Sequence, residues 1–317
     1  MVLASLVLVT ALGACKSDAS TPTPAEEPAA RAAEEAGPEE AGSEEAGSEE
    51  AEPQATRRIA TLGGTVTEIV WALGAGEEVF AVDKSSVYPE QTEAVRKLDL
   101  FRKVSAESVL SFEPTMVIAT EAAQPDQAFE RIEQAGVEVL CVTAEETPEA
   151  AKERIEIIGG ALGKEDASRE LLATLEAELA GAKEAAAGCE TPSKTLFMYA
   201  RGRGTTFVAG KDTSAARMIE LAGSTHVPAN IEGFKPMTAE AVMAADPDIV
   251  LMTGSGLESL GGVEGLRGVK GLSETRAAKE GRVVTMGDLE LLGFGPRTGQ
   301  AVRELADELC LDENVSE

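Results

Sequence analysis

Along residues 57–312, short apolar runs alternate with stretches whose apolar positions recur every three or four residues. RIATLGG (58–64) is followed by TEIVWALG (67–74), EVFAVD (78–83), TMVIAT (115–120), AFERIEQAG (128–136) and VEVLCVT (137–143). The brief β-rich runs read as strands and the amphipathic stretches as helices. Their alternation predicts strand–helix–strand units and a mainly parallel sheet. The pattern then gives way to a helical region over about 147–187, interrupted at GGALGKED (159–166). It resumes with KTLFMYAR (194–201), AARMIELAG (215–223), DIVLMTG (248–254) and RVVTMG (282–287). The expected fold is α/β: two Rossmann-like lobes with central, mainly parallel sheets, over 57–163 and 189–312, joined by one long α-helix over 164–188.

An internal repeat supports two lobes. SAESVLSFEPTMVIA (105–119) and TAEAVMAADPDIVLM (238–252) align without a gap, each a helix, a turn with proline and an apolar strand. Ser105 and Thr238 are expected to cap their helices. Glu107 and Glu240 fall in the first turn, where negative charge complements the helix dipole. Because both lie outside the apolar stripe, they also make a matched pair of surface handles, one per lobe.

The chain opens with MVLASLVLVTALGA, an apolar run too short to span a bilayer that ends in small residues, as a secretory signal does. The LGAC ending resembles the lipobox of bacterial lipoproteins, so residues 1–15 are expected to be a signal peptide with Cys15 as the lipid-bearing residue. Residues 16–56 hold the imperfect repeat EEAGPEEAGSEEAGSEEAEP (34–53), which has no apolar periodicity, and are expected to form a disordered acidic tether. That segment carries 12 acidic and 2 basic residues, so 10 of the chain's 28 net negative charges sit there and the body is acidic in its own right. Such a balance excludes nucleic acid as a partner, since that needs a basic footprint. The four cysteines show no metal-ligand spacing. In an exported chain Cys189 and Cys310 are the better disulfide pair, because Cys141 sits inside an apolar run.

Aromatic residues are 3% of the chain, and only two are tyrosines: Tyr88 in KSSVYPEQ (84–91) and Tyr199 in FMYARGRG (197–204). Both stand among polar neighbours. Gly63, Gly64 and Thr65 lie between the first strand and its helix, Tyr88 follows the second strand, and Arg201 follows the first strand of the second lobe. Loops at the carboxyl ends of strands are where open parallel sheets bind ligands.

Taken together and in order, RIATLGGTVTEIVWALGAGEEVFAVDKSSVYP, LFRKVSAESVLSFEPTMVIA, FVAGKDTSAARMIELAG, GFKPMTAEAVMAADPDIVLM and LGFGPRTGQAVREL resemble the substrate-binding proteins of ABC importers for haem. These belong to the cobalamin and siderophore class, in which one long helix joins two lobes. The resemblance implies haem as the transported ligand, held between the lobes, with no catalytic cofactor. It implies that Tyr88, on the SxYP position, ligates the iron, and that Tyr199, on a YxR position, is a second or competing ligand. Phenolate suits ferric iron. Tyr199 and Arg201, two apart on a strand, point to one face, so the guanidinium can support the phenolate. The residue after Pro89 is Glu90, where such members often place arginine, so that help is absent for Tyr88.

For the haem propionates the cations are Lys84, Arg201, Arg203, Lys211, Lys235 and above all Arg297, in GFGPRT where a helix is expected to begin with Pro296 in its first turn. Porphyrin contacts are expected from Phe101, Met198, Phe207, Phe234, Met237 and Phe294. His226, the only histidine, reads as an exposed loop residue. The resemblance further implies docking on a dimeric ABC permease, with its ATPase, through Glu107 and Glu240. The chain is expected to be an exported monomer, lipid-anchored to the membrane in the periplasm or on the cell surface. A ferric siderophore or cobalamin is the alternative ligand. One histidine and no nucleophile motif argue against an enzyme.

Overall fold

The structure, a computed structural model, describes residues 57–202 and 206–311. The signal peptide, Cys15, the tether over 16–56 and Arg203 lie outside the described residues.

The N-terminal lobe is built on β1 (Ile59–Leu62), β2 (Val79–Asp83), β3 (Arg96–Leu98), β4 (Met116–Thr120) and β5 (Glu138–Val142), all parallel, in the order β3-β2-β1-β4-β5. Helices α1 (Gly64–Ala72), α2 (Ala106–Leu110), α3 (Asp126–Gln134) and α4 (Pro148–Leu162) cover the two faces. All four residues of β1 are buried, as a central parallel strand covered on both sides requires. The long α5 (Glu165–Gly188) follows; its 24 residues span about 36 Å.

The C-terminal lobe contains β6 (Lys194–Ala200), β7 (Thr206–Ala209), β8 (Thr225–Val227), β9 (Phe234–Pro236), β10 (Ile249–Thr253) and β11 (Val283–Met286). Its sheet runs β11-β10-β6-β7-β9; β10, β11 and β8 are parallel with β6, whereas β7 and β9 are added antiparallel. Around it stand α6 (Ser214–Leu221), α7 (Ala239–Ala245), α8 (Gly254–Leu260), α9 (Gly262–Leu266), α10 (Arg276–Glu280), α11 (Asp288–Leu292) and α12 (Thr298–Leu309). The antiparallel strands lie outside the strand–helix pattern read from the sequence.

Helix α5 belongs to both lobes. Leu171, Leu172, Leu175 and Leu179 pack into the N-terminal core, and Ala182, Ala185 and Ala186 into the C-terminal one. It is clasped by α12, where a Cβ at Gly299 would lie 2.4 Å from Glu178 Cβ; only glycine permits that approach. Cys189, just past α5, is bonded to Cys310, just past α12, which ties the two helix ends together.

The internal repeat is a structural one. Ser105 and Thr238 each cap their helix by accepting a hydrogen bond from the backbone N–H three residues on, at 3.2 Å. Glu113 and Asp246, at equivalent positions before a proline, both take positive φ, 50° and 38°.

His226 corrects an expectation. Rather than an exposed loop residue it lies in β8, buried, with Nε2 3.0 Å from the Ala209 carbonyl oxygen. Burial is the larger influence on its pKa and holds it below the ordinary histidine value, against the Ala209 contact and Glu220, which act the other way. The unfolded chain then binds a proton that the folded chain refuses. Stability is therefore present above about pH 6.5 and is lost as pH falls from there toward the depressed value, by at most about 1.4 kcal/mol per pH unit. Since there is one histidine, His226→Gln is expected to remove that slope from urea titrations run across this range.

Candidate functional site

The N-terminal side of the inter-lobe cleft is organised by a buried carboxylate. β1 ends at Leu62, and Gly63 turns the chain into α1 with φ 120°, which a side chain would resist. The Gly63 N–H donates to Asp83 Oδ1 (3.0 Å) and the Gly64 N–H to Ser85 Oγ (2.9 Å). Asp83, the last residue of β2, is fully buried. Its Oδ2 also accepts from the backbone N–H groups of Ser85 and Phe101, both at 3.1 Å; the Ser85 hydroxyl lies within reach of both carboxylate oxygens and the Ser86 hydroxyl donates to Oδ1. A buried carboxylate that makes no direct ion pair is tolerated when donors surround it, and the charge of Lys97, whose Nζ donates to the Ser86 carbonyl (2.7 Å), acts on it as well. The donors here come from three loops, which Asp83 knits into one rim, and Tyr88 stands five residues further on.

Tyr88 is 41% exposed on that rim. Over its ring, 3.7 Å from the centroid, lies the Arg297 guanidinium, which comes from the other lobe. Arg297 is the cap residue of α12, so Pro296 precedes the helix instead of occupying its first turn. Its Nε donates to Glu68 Oε1 at 2.7 Å and Nη2 to Oε2 at 3.3 Å, while Nη1 stands 3.6 Å from Glu290. Glu68 projects from α1 with its side chain only 4% exposed. Burial raises its pKa, outweighing the hydrogen bond and charge of Arg297. Burial is the largest single influence on the Arg297 pKa and acts to lower it, but the hydrogen bond and charge of Glu68, with Glu290 and Tyr88, together outweigh it and the net shift is upward, so the guanidinium stays charged.

The same seam holds further bonds. Thr65 Oγ1 donates to the Gly293 carbonyl (3.0 Å), and the buried Arg154 of α4 donates through Nη2 to the Phe294 carbonyl (2.7 Å). The other Arg154 amino group is spent on the Thr143 and Glu145 carbonyls. Gly64 and Thr65 therefore sit inside the contact between lobes, with their polar groups already engaged.

A second cluster forms on the C-terminal lobe. Arg201 Nε donates to the Tyr199 hydroxyl at 2.5 Å, and the Tyr199 ring meets the exposed Phe234 of β9 edge to face, 6.2 Å between centroids. The expected cations are mostly paired: Lys84 with Asp99 (2.8 Å) and Lys211 with Glu232 (2.9 Å), both on the surface. Among the expected porphyrin contacts, Met198 and Phe294 are fully buried in the core and present no face to a ligand. Glu107 and Glu240 are exposed at the starts of α2 and α7. A cavity of about 510 Å³ lies elsewhere, between β11 and α12, lined by Glu304, Asp307 and Glu308. Three carboxylates there would repel a dianionic ligand.

Glu68 and Asp83 escaped the sequence reading. Their only signal is an acid inside, or at the end of, an apolar run: TEIVWALG and EVFAVD.

Two lobes with mainly parallel sheets on a shared helix, with Tyr88 of one meeting Arg297 of the other, define a bilobal ligand-binding protein. The chain matches the periplasmic binding protein family over residues 59–289 and belongs to that family. Among solved structures it is similar to the periplasmic heme-binding protein RhuT from Roseiflexus sp. RS-1 in apo form, with 40% identity, 80% of this chain and 98% of that one covered, and a TM-score of 0.78. It is also similar to the periplasmic heme-binding protein BhuT in complex with two hemes, with 32% identity, 81% and 98% coverage and a TM-score of 0.77. Among curated proteins it is 28% identical over 200 residues to an uncharacterized ABC transporter substrate-binding lipoprotein, YvrC, of Bacillus subtilis (strain 168), covering 62% of this chain and 63% of that one. It is 24% identical over 206 residues to the vitamin B12-binding protein of Vibrio campbellii, covering 65% and 74%. Among the described residues no helix is long and apolar enough to cross a membrane.

Proposed function

We propose that this chain binds haem between its lobes and delivers it to the dimeric permease of an ABC importer. The observation that carries the reading is that each of the chain's two tyrosines stands in contact with a guanidinium, Tyr88 with Arg297 and Tyr199 with Arg201. A cation beside a phenolate stabilises its charge, and phenolate is a fitting axial ligand for ferric haem. The likeness to RhuT and BhuT supports the same ligand. Phe234, Leu100 and Val87 are exposed apolar residues available for a porphyrin face.

On this reading Tyr88 is the leading iron ligand and Tyr199 a second one. Arg201 and Lys84 are cations for the propionates. Glu107 and Glu240 dock the lobes on the two permease subunits. Cys15 carries the lipid anchor and residues 16–56 the tether, which places the exported monomer at the membrane in the periplasm or on the cell surface. The protein catalyses nothing and releases its ligand unchanged.

The test is a titration of the full chain with hemin. A saturable ferric spectrum with tyrosinate-type bands is the expected result; no binding would remove the reading. Cobalamin is the second candidate ligand, favoured by the resemblance to vitamin B12-binding proteins, and parallel titration with cobalamin separates the two. A ferric siderophore, which brings its own iron ligands, would bind without those bands.

A further inference from the structure

We infer that Glu68 is a positioning residue for the iron ligand: from the N-terminal lobe it fixes Arg297 of the opposite lobe flat against Tyr88, so that the setting of the phenol depends on both lobes. The inference rests on the haem reading above.

A guanidinium has five N–H donors around its edge and two bare faces. Two of those donors on Arg297 are hydrogen-bonded, one on Nε and one on Nη2, both to Glu68, while Nη1 is ion-paired at 3.6 Å with Glu290. One face of the guanidinium so held lies on Tyr88. A propionate taking the Nε and Nη2 donors would have to displace a carboxylate whose side chain is nearly fully buried, leaving Glu68 in the interior without its partner, which is unfavourable. Arg297 is thus suited to act on the phenol instead of on a propionate.

The backbone is shaped to deliver it. Gly293 and Gly295 flank Phe294, and a Cβ on either would press on α1: 2.8 Å from Thr65 Oγ1 at Gly293, and 3.3 Å from Glu68 Oε2 and Thr65 Cγ2 at Gly295. Two glycines let the 293–295 segment lie against α1, and Arg154 and Thr65 hold its carbonyls there. Arg297 consequently reaches a carboxylate 229 residues away in sequence and shields one face of Tyr88. It also supplies the positive charge that Glu90, the residue after Pro89, does not.

The test is a set of titrations of the full chain with hemin and with hemin dimethyl ester, whose propionates are blocked. Tyr88→Phe comes first: if it changes neither binding nor spectrum, the tyrosine reading itself fails. With that effect in hand, Glu68→Ala and Arg297→Gln are each expected to weaken hemin about tenfold, the scale of a partly desolvated cation–π contact, and to weaken the dimethyl ester by the same factor. Placed in the Tyr88→Phe background, neither is expected to weaken binding further. A loss for hemin that spares the ester would make Arg297 a propionate contact and overturn the inference. A loss that persists without Tyr88, or no loss at all, would overturn it too. Because Glu68→Ala leaves a partly buried guanidinium with Glu290 as its remaining acidic partner, Glu68→Gln, which keeps the volume and a carbonyl acceptor, is measured beside it, with a smaller loss of the same pattern expected.

Discussion

Replacing both tyrosines by phenylalanine is expected to abolish the tyrosinate-type bands of the hemin complex, and Tyr88→Phe alone to remove most of them. The single substitution should raise the hemin Kd at least about tenfold, about 1.4 kcal/mol. Phenylalanine keeps the ring and its stacking on Arg297, so the loss reports the phenol oxygen and not the packing. Tyr88 is placed to lead because it is exposed on the rim and its hydroxyl has no hydrogen-bond partner among the described residues, whereas the Tyr199 hydroxyl is already held by Arg201. Tyr199→Phe is accordingly expected to have the smaller effect. Absorption and resonance Raman spectra of the three variants check this, and a larger effect at Tyr199 would reverse the assignment.

Reversing both charges with Glu107→Lys and Glu240→Lys is expected to abolish haem uptake while leaving the hemin Kd unchanged. Each glutamate is exposed in the first turn of equivalent helices, outside the cleft residues described above. Losing a favourable helix-dipole interaction costs each helix about 0.5 kcal/mol, too little to unfold a lobe. A cationic patch on the permease would instead meet repulsion at both contacts, which suppresses a correct partner as effectively as a wrong one. One reversal should weaken uptake and the pair should compound, since the sites lie on different lobes and share no partner. Uptake by cells carrying the variant, set beside hemin titration of the purified protein, is the measurement. Loss of hemin binding in the double variant would refute the docking role.

Much of the architecture was legible because parallel strands covered on both faces must be apolar throughout. IATL of β1 and IVLMT of β10 are wholly buried and announce themselves as runs. β7 and β9 did not, being four and three residues long, β7 half buried and β9 exposed throughout, so their antiparallel addition at the edge of the sheet has no distinctive pattern. The burial of His226 is hidden from the sequence for a related reason: β8 is a three-residue strand between loops, and nothing local marks its middle position as buried.

At the site, residue types that are rare or locally patterned could be read directly. With two tyrosines in 317 residues, each in a polar setting, the candidate ligands stood out, and Arg201 follows Tyr199 at the spacing that puts both on one face of a strand. Pairings across the lobes could not be read, because an ion pair between residues 229 apart leaves no trace in either neighbourhood. In the sequence Arg297 is a cation at a helix start, and only the folded chain brings Glu68 and Glu290 to its edge and Tyr88 to its face.

By itself, then, the amino-acid sequence determined the α/β class and the division into two lobes about α5. These follow from periodicity and repetition, which are local. The choice of tyrosine as the candidate iron ligand is what the family resemblance implies, and side-chain chemistry agrees with it. Tertiary structure alone decided which charges remain available to a ligand and which are consumed in holding the lobes together. Burial and apposition assign those roles, and both arise only when distant segments such as α1 and the 293–297 turn pack against each other.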